Sequence, residues 1–160
     1  MLNAYAKSQI EMPESYVKLA EKNGERGYSC SEAVLLTYCG NFNLDPEIAV
    51  KLASGFGGGM GLMGETCGAV TAAFMVIGLR FGADDITDSY SRQNVLMMVA
   101  EFAERFKESL GSLNCRELCK GHSMSSPEGS KALRASGLPQ KMITNAVKIL
   151  EELLIENVEI

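Results

Sequence analysis

The stretch from Leu52 to Gly82, LASGFGGGMGLMGETCGAVTAAFMVIGLRFG, limits this chain more than any other. Its first half carries Gly55, Gly57, Gly58, Gly59, Gly61 and Gly64. Each glycine loses more conformational freedom on folding than other residues do, so the backbone there must make turns or approaches closed to side chains. The second half turns helical. Val70, Phe74, Ile77 and Phe81 recur at spacings of three and four, and Gly82 is placed to end the helix. Gly68, Ala69, Ala72 and Ala73 make one face of it thin, which lets a second helix or a cofactor come close to the backbone. The expected fold is therefore all-α, a single-domain bundle of about six to seven helices over residues 1–160, with a glycine-rich loop before the central helix. Gly58, Gly59, Gly61 and Gly68 are the positions where a cofactor or substrate would approach.

Thr66 reads as the N-cap of that helix, which puts Cys67 in its first turn. Unpaired N–H groups and the positive end of the helix dipole favour a thiolate there. Ser29-Cys30-Ser31-Glu32 and Asn114-Cys115-Arg116-Glu117 repeat the arrangement, each a cap, a cysteine and a glutamate three positions after the cap. Three of the five cysteines thus open helices, and Cys30, Cys67 and Cys115 are expected to cluster. Cys39 closes the second helix and reads as packing.

The same residues carry a resemblance to a known family. Tyr28-Ser29-Cys30-Ser31-Glu32-Ala33-Val34-Leu35, Ala53 through Gly61, Cys67-Gly68-Ala69-Val70-Thr71-Ala72 and Cys115-Arg116-Glu117-Leu118 resemble the ordered motifs of the C_GCAxxG_C_C family, whose members are described as redox-active. The resemblance runs from about Tyr16 to Leu154 and implies a redox role for the matched cysteines. The chain departs from the pattern twice. Ala72 stands where the motif ends in glycine, and no cysteine occurs in Leu138-Pro139-Gln140-Lys141-Met142, where the family places a fourth. Cys119 is the candidate substitute.

Charge and composition narrow the functional class. A net charge of −5 with no dense Lys/Arg run argues against a nucleic-acid binder. No apolar run approaches the ~20 residues that span a bilayer, and the N-terminus lacks the apolar core of a signal peptide. Five cysteines, an odd number, do not make a secreted disulfide scaffold, so a reducing cytoplasm is expected. Gly59-Met60-Gly61-Leu62-Met63-Gly64 spells GxGxxG, but a helix, not a strand, is expected before it, which argues against a dinucleotide site.

The remaining helices are expected at Pro13 to about Lys22, Ser29 to Cys39, Pro46 to Ser54, Asp88 to Leu110, a short one from Asn114, a minor one ending near Ala135, and a last one after Gly137-Leu138-Pro139. Met60, Met63, Met97 and Met98 read as core filling. Cys115, Cys119 and His122 form C-x3-C-x2-H, a spacing that suits one metal ion though weaker than paired CxxC knuckles.

Three functions follow. The first is a thiol redox protein, with Cys30, Cys67 and Cys115 acting on a small-molecule or protein thiol or disulfide; whether it is an enzyme such as an oxidoreductase stays open. The second is an iron–sulfur or zinc protein using Cys30, Cys67 and Cys115 with Cys119 or His122. The third is a non-enzymatic module binding an anion or a partner segment at the helix ends. A homo-oligomer would need an exposed apolar face, which the sequence does not identify.

Overall fold

The computed structural model describes residues 13–157. Most of the N-terminal segment read above for a leader, residues 1–12, therefore lies outside the described residues. Among the described residues there are eight regular α-helices, a distorted helical turn at Gly57–Met60, a 3-10 turn at Cys39–Phe42 and no strands. The eight are α1 (Pro13–Glu25), α2 (Cys30–Tyr38), α3 (Pro46–Ser54), α4 (Gly68–Phe81), α5 (Ser89–Leu110), α6 (Cys115–Leu118), α7 (Pro127–Ala135) and α8 (Leu138–Glu156). Each of the eight corresponds to a helix expected from the sequence, and the two short ones, α6 and α7, are set by their caps more than by hydrophobic period. Asn114 accepts from the N–H groups of Arg116 and Glu117, and Ser126 accepts from that of Gly129.

Local chemistry explains most boundaries. Ser29 and Glu32 form a reciprocal capping box on α2. Asp45 caps α3 and Pro46 occupies its first turn. Gly111, at φ 89°, stops α5. One boundary differs from expectation: α1 runs through Asn23-Gly24 to Glu25 instead of ending near Lys22. Asn23 is buried there, and its amide donates to Ala33 O (3.4 Å) and Thr37 Oγ1 (3.2 Å), tying α1 to α2. Thr37, the polar interruption on the apolar face of α2, is thereby satisfied.

The thin helix α4 sits at the centre, buried from Gly68 to Ala73 and again at Val76 and Ile77. It packs on α2, α5 and α8, while α2 also packs on α1 and α3. The small residues at its start decide how close α2 comes. A Cβ on Gly68 would stand 3.0 Å from both Ser31 N and Phe56 O, so the N-termini of α2 and α4 meet at backbone distance. Phe102 and Phe106 fill the opposite side, with Phe74 edge-on to Phe102 at 5.9 Å. Met98 is buried as expected, but Met63 and Met97 are exposed, so the core-filling role does not extend to them.

The glycines form a loop. Gly58 and Gly59 both have positive φ inside the single turn Gly57–Met60, and α3, not a strand, leads into it. This is the context that argues against a dinucleotide site. No helix among the described residues is long and apolar enough to cross a membrane.

Candidate functional site

Backbone pairing brings the glycine loop onto the start of α6. Cys115 N donates to Glu65 O (2.6 Å), Arg116 N to Gly64 O (3.2 Å) and Cys67 N to Leu113 O (2.8 Å). An isolated antiparallel bridge joins Thr66 to Asn114 between them. Thr66 is occupied in that bridge, so it does not cap α4. Cys67 takes the N-cap position itself, with no side-chain capping bond, and the helix begins at Gly68. Cys30 and Cys115 do occupy the first positions of α2 and α6. Two of the three expected helix-opening cysteines therefore hold the expected position, and Cys67 sits one residue earlier.

A cleft of about 670 Å³ lies over this junction. Cys30, Cys115 and Cys119 line it, together with Gly57, Gly58, Gly61 and Gly68 from the glycine-rich stretch. Cys67 is fully buried beside it. The sulfur contacts are specific. Cys115 Sγ and Cys119 Sγ are 3.9 Å apart, Met124 Sδ is 3.7 Å from the first and 3.9 Å from the second, and Cys67 Sγ is 3.5 Å from Met142 Sδ. Cys30 Sγ reaches Pro139 O at 4.0 Å. The segment where the family pattern places its fourth cysteine thus does abut the sulfur cluster, and here it offers the Pro139 carbonyl and the Met142 thioether.

Of the other expected site residues, Gly59 is buried behind Cys115, where an added Cβ would stand 2.5 Å from the Cys115 Cβ. His122 is half-buried outside the cleft lining, its backbone N–H donating to Cys119 O at 3.0 Å. Cys39 is buried apart from the cluster and donates to Leu36 O (3.2 Å). Among the described residues no group of three or more His, Cys, Asp or Glu side chains is placed to hold one metal ion.

The ionisation state runs against the expected thiolates. Burial pushes the Cys30 thiol up to about 12, and the neighbouring Cys115 and Cys119 add to it, while Arg134 opposes. At Cys115 the hydrogen bond with Cys119 lowers the value, but the contact with Cys67 and burial outweigh it and leave it at about 12. Cys119 is raised by its hydrogen bond with Cys115 and by burial. Helix N-termini do favour thiolate, yet desolvation and sulfur neighbours exceed that effect here. Cys30, Cys115 and Cys119 are thereby favoured as thiols at neutral pH.

Sequence reasoning missed Met124 and Met142, both within sulfur contact of a cysteine, and the cleft residues Arg134 and Gln140. Arg134 is held by Gly27 O at 3.3 Å, and Gln140 Nε2 is buried without a partner. Met124 lies in a serine-rich connector with no period to mark it. Its position depends on the turn at Lys120 and Gly121, both at positive φ, which folds the chain back over α6.

A helical bundle that gathers four thiols at one end, under a glycine loop, defines a cysteine-centred protein. The chain belongs to the family described as "Putative redox-active protein (C_GCAxxG_C_C)", whose pattern matches residues 28–153. No curated protein and no solved structure matches it.

Proposed function

We propose that this chain is a cysteine-based redox protein of the cytoplasm, in which Cys115 and Cys119 form the reacting pair and Cys30 and Cys67 complete the cluster. The observation that carries this reading is the 3.9 Å separation of the two sulfurs on the wall of an open cleft. A substrate disulfide, small or on a protein, enters beside the glycine loop. Cys115 loses its proton and attacks one substrate sulfur, forming a mixed disulfide and releasing the other sulfur as a thiol. Cys119 then attacks Cys115 Sγ, releases the second substrate thiol and leaves a Cys115–Cys119 disulfide. Two electrons and two protons pass from the pair to the substrate. A cellular dithiol restores the reduced pair.

The disulfide needs the sulfurs at about 2.05 Å, and four-apart cysteines on an intact turn hold their Cβ atoms too far apart for it. Because α6 is a single turn, opening it is a small rearrangement. Arg134 on the cleft wall favours the Cys30 thiolate against the larger opposing effect of burial, and the orphan amide of Gln140 is available to a substrate carbonyl.

The reading is tested by oxidising the anaerobically purified protein with glutathione disulfide, counting thiols and mapping the product by mass spectrometry. Loss of two thiols as a reversible Cys115–Cys119 disulfide is expected. Five unreacted thiols, or random pairing that includes Cys39, would sink it.

A second reading, metal holding by the same cysteines, is favoured by their convergence with two thioethers. A single zinc ion bound by Cys30, Cys67, Cys115 and Cys119 at ~2.3 Å requires every pair of sulfurs near the spacing of the Cys115–Cys119 pair. Cys30 and Cys67 also contact Pro139 O and Met142 Sδ, and among the described residues no group of three or more His, Cys, Asp or Glu side chains is placed to hold one ion. A four-cysteine site for one zinc ion does not fit this arrangement, and His122 lies outside the cleft lining.

A further inference from the structure

We infer that Cys115, Cys119 and Met124 form a three-sulfur site for a soft monovalent cation, Cu(I). This inference rests on the same sulfur cluster as the redox reading but not on disulfide chemistry.

The three sulfurs make a nearly equilateral triangle with edges of 3.7, 3.9 and 3.9 Å. The centre of such a triangle is about 2.2 Å from each sulfur, close to the ~2.3 Å of a metal–thiolate bond. Sulfur packing alone gives contacts of similar length, so the argument turns on where the triangle lies. All three residues line the cleft, so an ion has a path to the centre. The left-handed residues Lys120 and Gly121 return Met124 onto the turn that carries the two cysteines. Such conformations are costly for a non-glycine residue and persist where the surroundings require them.

The glycine loop closes the other side. A Cβ on Gly59 would stand 2.5 Å from Cys115 Cβ, and one on Gly58 would stand 3.5 Å from Met124 Sδ, so the loop packs its bare backbone against the thiol and thioether. Donor chemistry selects the ion. Thioether and thiolate sulfurs favour Cu(I), whereas zinc prefers thiolate, imidazole or carboxylate in a tetrahedron. Binding converts Cu(I), two thiols and one thioether into a bis-thiolate thioether complex and two protons released to water, with no change of oxidation state. The complex carries one negative charge, and the cleft wall carries one cation, Arg134, and one acid, Glu25.

The test titrates fully reduced protein, under anaerobic conditions, with Cu(I) held by bicinchoninate. One copper per chain should transfer, with sulfur-only coordination by X-ray absorption. Met124→Leu should weaken retention at least about tenfold, since even outer groups of a metal site change affinity by that much. Cys39→Ala, remote from the triangle, should retain copper as the parent does. Circular dichroism of Met124→Leu verifies that the near-isosteric replacement folds. No transfer from the chelator, nitrogen in the coordination shell, or unchanged retention by folded Met124→Leu would overturn the inference. The redox reading is scored separately on copper-free protein by disulfide mapping. A reversible Cys115–Cys119 disulfide without copper transfer defeats this inference alone, and copper transfer without the disulfide upholds it while defeating the redox reading.

Discussion

Gly59 is where a single missing Cβ matters most. It has φ +69°, and an added carbon would press on Cys115 Cβ and on both Glu65 N and Glu65 O at 2.8 Å. Backbone cannot move aside as a flexible side chain can. Gly59→Ala should therefore destabilise the fold by about 2–4 kcal/mol in urea unfolding, combining left-handed strain with overpacking. Gly40 meets nothing within 4 Å and is the matched control. Gly40→Ala should change stability by less than about 1 kcal/mol. Equal losses at the two positions would show that the cost is generic to glycine replacement rather than to contact with the sulfur cluster. From the sequence the glycines were legible as close approaches, but not what they approached. Cys115 lies more than fifty residues away along the chain, and no spacing rule connects them.

At the scale of elements, the decisive one is α6, a single turn that Asn114 holds through the N–H groups of Arg116 and Glu117 at 3.0 and 3.3 Å. Glu117 does not return its side chain to the cap as a capping box would; it accepts from the Ser112 hydroxyl instead. Asn114→Ala should cost about 1 kcal/mol, the usual value of an N-cap. If Cys115 and Cys119 are the redox pair, the same change should speed their oxidation by glutathione disulfide, because the turn that keeps their sulfurs apart opens more often. Slower or unchanged disulfide formation, with the stability loss observed, would place the barrier elsewhere. Capping chemistry made the starts of α2, α3 and α6 readable from sequence. It misled at α4, where Thr66 has a capping side chain but tertiary pairing with Asn114 uses its backbone.

The whole molecule couples burial to pH. Tyr38 lies buried, stacked on Tyr16 at 5.1 Å with its hydroxyl donating to Glu151 Oε1 at 2.6 Å, and burial followed by the Glu151 charge raises its pKa well above the ordinary 10.0. Cys30 is raised from 9.0 to about 12, chiefly by burial. Both groups are held neutral in the folded chain and ionise more readily when unfolded. Their contribution to stability is thus complete below about pH 9.0 and is lost as pH rises toward about 12. Unfolding midpoints should stay level up to the ordinary thiol value and then fall steadily. Cys30→Ala should flatten the first part of that fall. A midpoint that rises with alkalinity would contradict the protonated state of these groups in the folded chain.

Taken alone, the sequence determined the all-helical class, the thin central helix, the glycine loop and the helix starts that carry Cys30 and Cys115. Each follows from local rules: hydrophobic period, capping residues and backbone freedom act within a few residues. Only the tertiary structure decided the state and company of the thiols. Desolvation depends on everything packed around a sulfur, and here it outweighs the helix-end field that local reasoning counts. The two methionines became part of the site for the same reason. Met124 arrives through a left-handed turn and Met142 through the docking of α8, and neither event leaves a period or a motif in the chain.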